Sequence, residues 1–235
     1  MSEPTPPRRV LNMQRRRARI LDAAREMLTG GGFEALNLRE LARQADVTVP
    51  TIYNLVGNKE ELLVELFAEA LTEIEARMDA SRAADPLQMA EAVVLESTAV
   101  FARNEDYYRA AFAAVEYLDH SAPHHDTVAR LYRWGERLVT AGFLACAEAR
   151  LLRGRIPPVA MGELLLRSYR TSCRAWAFRQ LALADFRRVA LTDVYVTLAA
   201  DAVDTFHATL SKKIQAIGAP AHAPATTRRV RRTRE

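Results

Sequence analysis

Between residues 37 and 63 the apolar positions fall into short helical patterns separated by turn chemistry. Leu38, Leu41, Ala42 and Ala45 recur at the spacing of one helix face, while Arg39, Glu40, Arg43 and Gln44 fall on the other. Asn37 stands where an N-cap side chain would accept a backbone N–H, with Glu40 placed to bond back, so the spacing predicts a capping box and a helix of about nine residues from Leu38. Asp46 tolerates the left-handed geometry that breaks this helix, and Val47 is the apolar residue that buries the turn. Thr48 caps a second helix, with Pro50 in its first turn, where a missing N–H costs nothing. Ile52 and Val56 point inward, which leaves Val49, Pro50, Thr51, Tyr53 and Asn54 exposed. Gly57 ends that helix, and Asn58 with Glu61 forms another capping box for a long helix from Lys59. Two short capped helices around a tight turn are the pattern of a helix-turn-helix, whose second helix enters the major groove of DNA.

The same reading extends in both directions. Upstream, Ile20, Leu21, Ala24, Met27 and Leu28 share one helix face, followed by a stop at Gly30 to Gly32 and Phe33 as a core anchor. Downstream, punctuation predicts helices from Lys59 to about Arg82, from Asp85-Pro86 to Arg103, and from Asn104 to Tyr117. A break at Ser121-Ala122-Pro123 precedes one from His125 to Leu152. The turn at Gly154 to Pro158 leads into Val159 to Leu183, and a last helix runs from Thr192 to Ile217. No stretch alternates convincingly as a strand, so the expectation is an all-α fold of roughly nine helices.

These parts resemble the TetR family of bacterial transcription regulators. The matching run is Thr48, Thr51, Ile52, Tyr53, Val56, Asn58, Lys59, Glu60 and Leu62, and many positions agree over about residues 15 to 63. Beyond Leu63 the resemblance rests on length and helical pattern. It implies an N-terminal three-helix helix-turn-helix DNA-binding domain over 15–63 and a six-helix ligand-binding and dimerisation domain over 64–217. These are flanked by basic ends at 1–14 and 218–235, both read as disordered. It also implies a homodimer joined by the last two long helices, a pseudo-palindromic double-stranded operator and a small-molecule effector. Two departures stand out: Val49-Pro50 replaces a common Lys-Gly, and Leu55-Val56 a common His-Phe. Losing that lysine removes a phosphate contact and leaves apolar surface suited to a thymine methyl.

Residue roles follow from position. Thr48 and Lys59 lie at helix N-termini and suit phosphate, Tyr53 offers a hydroxyl to phosphate, and Arg39 faces the adjacent backbone. Thr51 and Asn54 are the base-edge candidates, Asn54 through a bidentate bond to adenine. The net charge of +4 is concentrated at the ends. Residues 1 to 19 hold six arginines, among them Arg17, and one acid, and this arm either follows phosphates or is a solvated tail. Arg228 to Arg234 follow a low-complexity linker and read as a tail with at most nonspecific DNA affinity.

At 235 residues and 49% apolar composition the chain can bury a substantial core. The opening residues do not read as a signal peptide, the longest uncharged stretch of the helical body is too short for a bilayer, and a cytoplasmic protein without a membrane partner is expected. Cys146 and Cys173 lack metal-ligand spacing and read as buried thiols, and Pro123 interrupts the cluster His120, His124 and His125, so neither metal nor cofactor is expected. Effector candidates on the middle helices are Phe101, Tyr108, Phe112, Trp134, Arg170, Cys173 and Trp176, each of which could equally be core. The row Arg167, Arg170 and Arg174 suits either a ligand carboxylate or acids of a neighbouring helix. A sequence-specific DNA-binding repressor released from its operator by a small-molecule effector is the leading expectation, against an architectural or ligand-independent DNA binder or, with less support, an all-helical enzyme.

Overall fold

Ten helices are present in a computed structural model that describes residues 7–80, 85–119 and 125–218. They are α1 (Arg8–Ala35), α2 (Leu38–Gln44), α3 (Val49–Val56), α4 (Lys59–Ala80), α5 (Pro86–Ala102), α6 (Glu105–Asp119), α7 (His125–Glu148), α8 (Pro158–Ala177), α9 (Leu183–Ala199) and α10 (Asp204–Ile217). Among the described residues the only β pairing is an isolated antiparallel bridge between Leu152 and Ala202. No helix among them is long and apolar enough to cross a membrane.

The apolar stripes read from the sequence form the first core. Ile20, Ala24, Leu28, Leu41, Ile52, Leu62 and Leu63 are almost fully buried, so α1 packs on α2 and α3 and the start of α4 closes the group. Burying an aliphatic side chain of this size contributes about 1.5–3 kcal/mol. In the body, α5 is hemmed in by α4, α7 and α9, and α8 lies between α6, α7 and α9. The crossing of α5 and α7 is close because Gly142 has no side chain. A Cβ there would come within 2.2 Å of the Ala90 Cα.

Four expectations change. Helix α1 starts at Arg8, so residues 8–14 are helical rather than a disordered arm, and the helix runs through Gly30 to Gly32 to Ala35 instead of stopping there. The helix predicted to reach Leu183 ends at Ala177, and the predicted final helix is two, α9 and α10. Asp201 causes this last change. It is 1% exposed, and its carboxylate accepts from the backbone N–H groups of Gly154 and Arg155, while its own carbonyl accepts from Arg153 N at 2.7 Å. Continuing α9 through this point would leave that buried carboxylate without those donors, so tertiary bonding overrides a sequence with no Gly or Pro there.

Several expectations fall outside the described residues or side chains. These are the arm at 1–6, Phe33, the histidines at 120, 124 and 125, and the tail at 219–235.

Candidate nucleic-acid interface

The turn between α2 and α3 has the geometry its residues imply. Asp46 takes φ 51°, the left-handed conformation that an aspartate tolerates better than most residues. Half-buried Val47 packs against the core, and Val47 N bonds back to Ala42 O at 2.9 Å. Thr48 caps α3, its hydroxyl accepting from Thr51 N at 3.4 Å. The two threonine hydroxyls also lie 2.8 Å apart, so Thr51 is engaged within the helix terminus. After α3, Gly57 adopts φ 85° and the second capping box forms as expected. Asn58 N donates to Glu61 at 2.9 Å and Glu61 N to Asn58 at 2.8 Å.

The capping box expected at Asn37 is only half made. Asn37 accepts from Arg39 N at 2.8 Å, but Glu40 turns outward to Arg43 Nε at 2.9 Å and Gln44 Nε2 at 3.1 Å. An i,i+3 guanidinium competes successfully with a backbone N–H for this carboxylate. The hydrogen bond from Arg43 holds the Glu40 pKa down to about 2.

Pro50, Tyr53 and Asn54 are exposed on α3, Thr48 at its start and Arg39 on α2; Thr51 and Lys59 are half-buried beside them. Tyr53 is 54% exposed, unusually high for an aromatic ring and suited to a contact. Val49 is a correction: it is half-buried against the core, so Pro50 is left as the exposed apolar residue at the start of α3. Arg17 differs as well. It lies on α1 and pairs with Glu65 of α4, which ties the start of the DNA-binding unit to the long connecting helix. Arg8, Arg9, Arg15 and Arg16 remain exposed along the same helix.

In the body, a narrow cavity of about 60 Å³ lies between α4, α5, α6, α7 and α8. Phe101, Phe112, Arg170 and Cys173 line it, as placed from the sequence, and so do Phe67, Leu71, Tyr132 and Tyr169. The other three candidates do not. Trp176 stacks on Phe101 with ring centroids 4.9 Å apart, Trp134 donates to Glu75 at 3.1 Å, and Tyr108 lies at a separate cleft beside Arg103 and Tyr107. Leu166, Tyr169, Arg170 and Cys173 share a face at helical spacing, which was the available signal for Leu166 and Tyr169, the missed part of the α8 wall. Of the arginine row, Arg170 pairs with Glu116 of α6 at 3.1 Å, while Arg167 and Arg174 are exposed. Burial pushes the Cys146 thiol up to about 12 and Cys173 up as well, so neither is a thiolate near neutrality.

This geometry has known counterparts. Residues 20–66 match the family model of bacterial regulatory proteins of the tetR family. Over 107 residues the chain is 33% identical to the HTH-type transcriptional repressor KstR of Rhodococcus jostii, a match covering 46% of this chain and 50% of that protein. The chain therefore spans about half the length of the curated relatives it matches. A wider likeness is one of fold. The transcriptional regulator FadR from Bacillus subtilis in complex with stearoyl-CoA superposes with a TM-score of 0.65 at 15% identity, over 77% of this chain and 97% of that one. A TetR-family regulator from Syntrophomonas wolfei gives 0.66 at 15% identity, over 79% and 95%. The N-terminal unit therefore matches the DNA-binding module of the tetR family of bacterial regulatory proteins over residues 20–66, and the helical body beyond it shares the fold of solved regulators of that family.

Proposed function

We propose that this chain is a homodimeric transcriptional repressor that holds a pseudo-palindromic DNA operator and releases it when a small molecule enters the body cavity. The observation that carries this reading is α3, a capped helix anchored by buried Ile52 and Val56 that presents Pro50, Tyr53 and Asn54 outward. A helix of eight residues reads only a few base pairs, so sequence selectivity calls for two copies one helical turn of DNA apart. The exposed apolar residues of α8 and α9 suit the joint. Val159, Leu164 and Val196 are each at least half exposed, whereas the outer face of α10 is largely polar. Of the last two long helices expected to form the joint, the first is α8 and the second divides into α9 and α10, so the dimer face lies on α8 and α9, with α10 outside it.

Within this reading Thr48 and Lys59 hold phosphates at helix N-termini, Tyr53 donates its hydroxyl to a third, and Arg39 meets the neighbouring backbone. Asn54 is the stronger base reader, because the Thr51 hydroxyl is already shared with Thr48. The exposed arginines of α1 follow phosphates as a helix, not as an extended arm. The reading unit is residues 15–63, and 64–217 is the sensing and dimerisation unit. Repression by KstR and the stearoyl-CoA bound to FadR support a ligand-responsive repressor with an apolar effector site. Release follows only if the effector binds the non-DNA form better than the DNA-bound form. Selection of bound sequences from random DNA by the purified protein is the test. A two-fold symmetric motif supports the reading, and enrichment of no motif refutes it in favour of an architectural binder.

A further inference from the structure

The walls of the body cavity are almost entirely apolar, and the hydroxyls of Tyr132 and Tyr169 and the terminal guanidinium nitrogen of Arg170 that reach it are hydrogen-bonded to the protein. The Arg170 guanidinium lies over the Tyr132 ring, 3.5 Å from its centroid, and donates to the Tyr132 hydroxyl at 2.7 Å and to Glu116 at 3.1 Å. Tyr132 also donates to Glu116 at 3.2 Å. Glu116 is 8% exposed and lies behind Arg170, outside the cavity lining. On the α5 side, the Tyr169 hydroxyl donates to Ser97, which donates on to Val94 O. A ligand carboxylate drawn to Arg170 would meet Glu116 close by in a poorly hydrated site, and like charges there repel strongly.

We propose that the cavity takes an uncharged, predominantly hydrocarbon ligand, and that Glu116 sets this preference by neutralising Arg170. The inference rests on the reading of this cavity as the effector site, and it narrows the effector to a class. Arg170 then serves as a flat, charge-balanced wall stacked on Tyr132, not as an anchor for an anion. Glu116 is a specificity determinant that acts through Arg170 without lining the site.

Three probes of equal chain length test this by titration of the full chain: methyl decanoate, decanoate and decyltrimethylammonium. Quenching of Trp176, which stacks on the cavity-lining Phe101, reports binding. The wild-type protein should bind methyl decanoate about tenfold or more tighter than either charged probe, the scale set by burying an uncompensated charge. Glu116→Gln should raise decanoate affinity by about tenfold and leave methyl decanoate within about threefold. Gly135→Leu should abolish binding of methyl decanoate, because Gly135 lines the cavity and an added side chain would project towards Leu166. Wild-type protein that binds decanoate as tightly as its ester overturns the proposal, as does an unchanged preference in Glu116→Gln. If that variant does not fold, the wild-type ranking of the three probes still decides. Ester binding that survives Gly135→Leu places the ligand elsewhere and refutes both the proposal and the cavity reading. Decanoate that binds preferentially, is lost in Gly135→Leu and releases DNA refutes the proposal alone.

Discussion

At the level of single residues, the proposed roles of Lys59 and Asn54 differ physically, and their losses should look different. Lys59→Ala should weaken binding to all DNA sequences alike and reduce the salt dependence by about one counterion, whereas Asn54→Ala should relax preference at one base position and cost about 1–3 kcal/mol on the best site. Binding isotherms on matched and scrambled sites over a salt series separate the two, and equal, sequence-independent losses would remove Asn54 from base readout. Glu40 has a quieter part. Its folded-state pKa of about 2 lies below the ordinary 4.5, so its bond to Arg43 is complete above about 4.5 and is lost as the pH falls through about 2. At neutral pH Arg43 is therefore occupied. Glu40→Ala should free that guanidinium for phosphate and steepen the salt dependence of DNA binding, and an unchanged slope would show that Arg43 faces away from the duplex. The caps at Thr48 and Asn58 were legible because their partners lie three residues away. The failed half of the box at Asn37 was not, because Arg43 and Gln44 compete for Glu40 and their rotamers are set in three dimensions.

At the level of elements, the helix-turn-helix could be read from local chemistry, but the division of the C-terminal helix could not. Residues from Leu183 to Ile217 contain neither Gly nor Pro, and their propensity is continuous. What breaks the helix is Asp201, which bonds backbone N–H groups nearly fifty residues upstream. Asp201→Ala removes the buried acceptor that fixes those two donors and should cost about 1–3 kcal/mol, read as a lowered midpoint in thermal or urea unfolding. A loss within about 0.5 kcal/mol, the range of ordinary surface substitutions, would mean that the turn holds without its carboxylate. Gly142 makes a second such case. It reads as an ordinary mid-helix glycine, yet Gly142→Ala must push α5 and α7 apart and should destabilise the body where helix propensity alone predicts a gain of about 1 kcal/mol. The sign of that change in unfolding free energy decides whether packing or propensity governs the position.

At the level of the whole molecule, the reading heads and the cavity share two helices. Helix α4 starts at the capping box that follows α3 and further on supplies Phe67 and Leu71 to the cavity wall. Helix α6 supplies Phe112 and packs along α1, where Asn104, just before α6, donates to Thr29 at 3.3 Å. A ligand that displaces these walls would change the angle of the DNA-binding helices, but in one subunit that only re-aims one weak contact. In the proposed dimer, pairing gives the angle meaning, since two heads would have to match successive major grooves at one fixed spacing. The decisive variants are therefore far from DNA. Leu164→Glu and Val196→Glu place charges on the exposed apolar faces of α8 and α9 without touching the core. Burial of those charges on association should be costly enough to give monomers at micromolar concentration, each retaining the melting behaviour of its fold. Sedimentation checks the assembly, and mobility shifts on full and half operators check its consequence. Affinity for the full site should collapse to that for a single half-site, by about a hundredfold or more, because the second head no longer binds at high effective concentration. If both variants stay dimeric, the joint lies elsewhere on the body. If they become monomers yet keep full-site affinity, the two-headed reading of the operator fails.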